Sequence, residues 1–126
     1  MLKLAFAVLA GAALGVSATQ MLHVQAKPPA FLISDITVTD PDKFKAWGER
    51  VNATFVTHGA KYLARGGQTI PVTGATGELP KRAVVVMFEN MDKAKAWDTA
   101  EDTKAARAID RGATFRSYIV DGLPAQ

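Results

Sequence analysis

The run His58-Gly59-Ala60-Lys61-Tyr62-Leu63-Ala64-Arg65-Gly66-Gly67 constrains this chain most: it stops a helix, starts a strand, and closes that strand with an arginine before two glycines. Upstream, Phe44, Trp47, Val51 and Phe55 recur at helical spacing, so one stripe of that helix carries large apolar side chains. Asp40-Pro41 supplies its start, with a capping carboxylate followed by proline in the first turn. Downstream, Gly66, Gly67, Pro71, Gly74, Gly77 and Pro80 punctuate a polar connection longer than a tight hairpin needs.

The remaining elements follow from periodicity. Residues 30–38 are rich in apolar and β-branched side chains and read as a first strand, and residues 60–65 form the second. Residues 82–88 form the third, and the unbroken Val84-Val85-Val86 places it centrally in a sheet. Residues 91–97 suggest a short helix. Asp98-Thr99-Ala100-Glu101 then offers a capping-box-like restart, and Ala105, Ala106 and Ile109 continue the helix to Gly112. Residues 115–120 form a last strand that stops at Asp121-Gly122. Strand, helix, strand, strand, helix, strand predicts an α+β domain of ferredoxin-like topology with a four-stranded antiparallel sheet.

One layer of helices covers only one sheet face. Strand side chains alternate, so if Phe31 and Ile33 point one way, Leu32 and Ile36 point the other, and both sets are apolar. A homodimer packed sheet to sheet is therefore expected, with a monomer of curled sheet as the alternative.

The N-terminal segment reads separately. Lys3 precedes an apolar run from Leu4 to Val16, short of the about 20 residues that a spanning helix needs. Val24 and Ala26 stand at the spacing of a signal-peptidase site, and Val16 and Ala18 offer a second. The expectation is an exported, periplasmic protein with a signal peptide over residues 1–26, an uncleaved anchor being the alternative. A linker follows over 27–29, one domain over 30–122 and a tail over 123–126. With no cysteine, neither disulfides nor thiolate-bound metals contribute. The formal charge of +3 falls by one with the loss of Lys3, and the other Lys and Arg alternate with acids rather than forming a basic stripe. Nucleic acid is thus not expected as a partner, nor a membrane once the signal is cleaved. His23 lies in the export segment, which leaves His58 without a second histidine for a metal or haem, and no cofactor is expected.

The His58–Gly67 run, the Asp40-Pro41 start, Pro80-Lys81-Arg82 before the valine strand and Val120-Asp121-Gly122 together resemble the DUF1330 family, a domain of unknown function. The resemblance covers Phe31 to Gly122. It implies the dimeric α/β-barrel superfamily, which includes cofactor-free monooxygenases, isomerases and haem-using enzymes. Two departures stand out: Ala60 occupies a position where a second glycine is common, and the region from Trp97 to Asp102 lacks tyrosines often found there. No role for those tyrosines is carried over.

Topology directs the search for a site. Strands one and two run together and strands three and four run against them, so the end of strand two meets the start of strand three. Arg65 and Arg82 should share that rim, with Asp40 and Arg116 nearby. Paired guanidiniums suit a carboxylate or phosphate. Alternatively, each arginine pairs with an acid such as Asp35 or Glu78. Asp35, inside an apolar strand, reads either as a general base or polar anchor, or as a salt-bridge partner of Arg82. His58 reads either as a proton carrier or as a helix C-cap; a strand's length separates it from Arg65. By resemblance, Trp47, Phe44, Phe55 and Tyr62 could line a ligand cavity between helix and sheet, although aromatic residues at helical spacing are more often core. Ser34 and Ser117 carry no nucleophile signature. Three functions are expected: a small-molecule binder using Arg65, Arg82, Trp47, Tyr62 and Asp35, for which an anionic ligand is one option; a cofactor-free monooxygenase or isomerase with Asp35 or His58 as proton acceptor; or a non-catalytic structural or interaction module.

Overall fold

The computed structural model describes residues 27–124, so the export segment expected over residues 1–26 lies outside the described residues. The elements are β1 (Ala30–Val38), α1 (Pro41–Thr57), β2 (Lys61–Arg65), β3 (Ala83–Phe88), α2 (Met91–Thr99), α3 (Glu101–Ala108) and β4 (Ala113–Asp121). The strands form one antiparallel sheet in the order β2-β3-β1-β4, the ferredoxin-like arrangement. Among the described residues no helix is long and apolar enough to cross a membrane.

Local chemistry explains most of the boundaries. The Asp40 carboxylate accepts from the Lys43 N–H at 3.2 Å, capping α1, and Pro41 fits the first turn because its missing N–H has no helical partner to lose. At the other end the His58 N–H donates to the Thr54 carbonyl at 3.0 Å, and Gly59 then takes φ 71°, which a side chain would resist. Asn90 caps α2 by accepting from the Lys93 N–H at 2.9 Å. The Gly112 carbonyl accepts from both Thr39 and Asp40 N–H groups, at 2.8 and 2.9 Å, and so ties the end of β1 and the start of α1 to the start of β4.

The core lies between the helices and one sheet face. Ala30, Leu32, Ser34 and Ile36 of β1 and Val84, Val86 and Phe88 of β3 are buried there, alternating with half-buried neighbours. Phe88 is fully buried, worth about 1.5–3 kcal/mol relative to exposure. Phe55 meets it edge-on at 6.3 Å between centroids, and Trp97 stacks on Phe55 at 5.2 Å.

The second helical region differs from expectation. The break falls at Ala100, inside the expected Asp98–Glu101 restart, but Ala100 is extended and no side chain caps the new helix. Asp98 lies in the last turn of the previous helix with its carboxylate held by Arg107, so it does not cap the next one. Burial of Trp97, Thr103 and Ala106 sets the two short helices against the sheet without a capping box. The helix also ends at Ala108 rather than near Gly112, because Ile109 is extended and Asp110 turns to accept from Lys43 Nζ at 2.7 Å and from the Gly112 N–H at 3.0 Å.

Candidate functional site

Between α1, α3 and the sheet lies a cavity of about 900 Å³, large enough for a small organic molecule. Leu32, Ile36, Val84 and Val86 give it an apolar floor, and Ser34 and Ser117 place two hydroxyls there, 2.8 Å apart. The helical stripe divides between two roles. Val51 and Phe55 are buried in the core and touch the cavity from it, as expected of Phe55, whereas Phe44 and Trp47 are only partly buried and make an aromatic wall with Phe115. Trp47 meets Phe115 edge-on at 4.8 Å and Phe44 at 5.6 Å.

Arg65, Arg82 and Tyr62 line this same cavity, and an irregularity in β2 brings them together. Strict alternation would send Tyr62 and Arg65 to opposite faces, since three positions separate them. A bulge between Tyr62 and Ala64 instead sets Tyr62 against Val86 and Arg65 against Val84, both on the helix-facing side. The Arg65 guanidinium then lies over the Tyr62 ring, 4.4 Å from its centroid. Burial pushes the Tyr62 phenol up, while Arg65 and Arg82 pull it the other way; its hydroxyl donates to Asn52 Oδ1. Arg82 lies 5.3 Å from the Phe44 centroid.

Neither arginine forms an ion pair among the described residues, so the expected alternatives with Asp35 or Glu78 are not what holds them. The contrast is with Arg107, which also lines the cavity but is bound to Asp98. A third unpaired guanidinium, Arg111, lies 4.2 Å from the Phe115 centroid on the cavity wall. Aromatic faces hold these three cations without using their N–H groups. Two buried donors, Trp47 Nε1 and Arg82 Nε, likewise find no acceptor among the described residues.

Three other candidates stand elsewhere. Asp35 faces the outer side of the sheet, opposite Arg116 on β4 and Ala83 on β3, and does not line the cavity. Its grouping with Arg65 and Arg82 is therefore corrected: the parity that puts it with Phe31 and Ile33 removes it from the helix side. Arg116 goes with it for the same reason, and Arg111 takes its place at the rim. Asp40 caps α1 and does not line the cavity. His58 sits at the end of α1, where its Nε2 lies 3.2 Å from Asp102 Oδ1; that hydrogen bond holds the Asp102 carboxyl below its usual range. It too is absent from the cavity wall. No cluster of three or more potential metal-ligating side chains occurs among the described residues.

Gly66 controls where Arg82 can lie. Its N–H donates to the Ala83 carbonyl at 2.8 Å with φ 69°, and a Cβ there would collide with Arg82 Nη1 and come within 2.6 Å of Cζ. Gly66→Ala is expected to displace the Arg82 guanidinium from the cavity and to cost about 1–3 kcal/mol through the strained backbone. A structure of the variant with Arg82 unmoved, or an unchanged melting temperature, would count against this.

The model of the family described as Domain of unknown function (DUF1330) matches residues 29–123. No curated protein matches the chain. Among solved structures, it is similar to RPA0582, a protein of unknown function from Rhodopseudomonas palustris, with a TM-score of 0.60 and 13% identity over 86% of this chain and 93% of that one. The crystal structure of methylated RPA0582 protein gives a TM-score of 0.61 and 11% identity over 85% of this chain and 90% of that one. Likeness at this identity establishes a shared fold.

Proposed function

Because the chain belongs to the DUF1330 family, described as a domain of unknown function, its role has to be argued from the cavity, and we propose an exported, homodimeric protein that binds a small anionic organic ligand. One observation carries this reading: an aromatic-walled cavity of about 900 Å³ is lined by Arg65, Arg82 and Arg111, none of which has a carboxylate partner among the described residues. A fold kept only as an interaction module would gain by filling that volume and pairing those charges. The enzymic alternative rests on Asp35 or His58 as proton acceptor at the ligand, and neither side chain reaches the cavity wall. Binding without covalent chemistry is therefore the better-supported reading.

The homodimer rests on the outer sheet face. Phe31, Ile33, Val85 and Met87 are half-buried on that side, and Tyr118 and Val120 stay 54% and 42% exposed. A contiguous apolar face of this kind is what two copies would cover. Native mass spectrometry of protein purified from its own source tests both proposals. The expected result is twice the chain mass with a retained molecule of small organic size. Bare protein, with no change in melting temperature on adding a small-molecule extract of the source cells, would remove the binding function.

A further inference from the structure

We propose that the cavity selects an aryl carboxylate, its ring against the Trp47–Phe115 wall and its carboxylate at the Arg82 and Arg111 end, an inference that rests on the cavity being a binding site. Two features of the wall set this chemistry. The first is a polar lining in which unspent donors outnumber acceptors: of its two carboxylates, Asp98 is paired with Arg107 and Glu49 stands on the exposed side of α1. Arg65, Arg82 and Arg111 lie over the rings of Tyr62, Phe44 and Phe115 and form no ion pair among the described residues, so their N–H groups remain free to meet an anion. Trp47 Nε1 and Arg82 Nε are buried donors without acceptors among the described residues, a state that an incoming acceptor would relieve. In the Ser34–Ser117 pair one hydroxyl donates to the other, which leaves one O–H proton to give. A ligand matching this set presents acceptors and few donors, as a carboxylate does.

The second feature is what surrounds the donors. Leu32, Ile36, Val84 and Val86 form a floor that would leave a sugar or a compact polyanion with unsolvated hydroxyls or charges. Trp47 and Phe115 meet edge-on at 4.8 Å, presenting ring faces and edges that suit a flat aromatic body. Phe44 packs against Trp47 and has Arg82 over its ring, and Arg111 lies over Phe115, so guanidiniums adjoin the aromatic wall directly. An aromatic ring bearing one carboxylate spans these two environments. A carboxylate, with its two coplanar oxygens, also matches the planar fork of a guanidinium.

The test uses three probes with one aromatic body, followed by calorimetry and by quenching of tryptophan fluorescence in the purified protein: 2-naphthoate, 2-naphthamide and 2-naphthyl phosphate. The expected result is that naphthoate binds at least about tenfold tighter than the amide, the equivalent of one charge-assisted hydrogen bond. Arg82→Met should reduce that preference by about tenfold or more. Arg111→Met, a change on the cavity wall away from the β2–β3 junction, should do the same and stands in if Arg82→Met fails to fold. Equal binding of acid and amide would overturn carboxylate selection while leaving the cavity as a binding site. Tighter binding of the phosphate would overturn it in favour of a phosphomonoester. Failure of all three probes overturns the aryl carboxylate; a small molecule retained in the native mass spectrum would then preserve the binding function, and a bare protein would remove both.

Discussion

Trp97→Ala is expected to destabilise the fold by about 3–5 kcal/mol, the range for deleting a buried large aromatic side chain. In a domain of this size that lowers the melting temperature by on the order of 15–30 °C. The reason is the number of elements that meet on one ring. Trp97 is 4% exposed, stacks on Phe55 of α1 at 5.2 Å and lies 5.4 Å from Phe88 of β3, so its loss opens a cavity that touches both layers. Its Nε1 also donates to Thr54 Oγ1 at 2.9 Å, while Thr54 donates onward to the Val51 carbonyl at 2.6 Å, which pins the short α2 to the long α1. Thr54→Val separates the two contributions: it keeps the ring and strands a buried N–H, for a smaller cost of about 1–3 kcal/mol. Thermal and urea unfolding of both variants check the order. A Trp97→Ala protein melting within a few degrees of the parent would mean that the core closes around the gap and that α2 is held by something else.

The same residues show what periodicity could and could not reveal. The stripe of Phe44, Trp47, Val51 and Phe55, the Asp40 cap and the strand order were legible because each depends on local spacing and on one pattern of alternation. The positions of Arg65 and Arg82 on one rim also followed from topology. What failed was parity. Alternation correctly put Asp35 with Phe31 and Ile33, yet joining it to the two arginines ignored that these point to the other face. The bulge that turns Arg65 toward the helices leaves no mark in Lys61-Tyr62-Leu63-Ala64-Arg65, since the extra residue is defined by its partner strand. Arg111 was missed because it precedes β4 rather than belonging to it; a cation one residue before Gly112, at a strand start facing the end of β1, was the available signal. The helix break was legible, but its capping box did not form, because Asp98 can bond Arg107 as readily as a backbone N–H and only packing decides between them.

If two copies pack sheet to sheet as proposed, Ile33→Glu is expected to separate them into single chains, because it places a carboxylate in the middle of the outer sheet face. Ile33 lies on β1, one of the two central strands, paired with Val85 on β3 and Tyr118 on β4, so its side chain has apolar neighbours on both sides. In an interface between two identical faces each dimer carries the substitution twice, and two carboxylates lose water together. Folding should survive, since Ile33 is only half-buried within one chain and the core lies on the opposite face. Val56→Glu provides the control: Val56 is 81% exposed on α1, away from the sheet, and should leave association unchanged. Sedimentation equilibrium at micromolar concentration distinguishes the outcomes, with circular dichroism confirming that each variant is folded. A parent protein that sediments as a folded single chain would end the dimer proposal, and the half-buried face formed by Phe31, Ile33, Val85 and Met87 would then have to be stable against water without a partner.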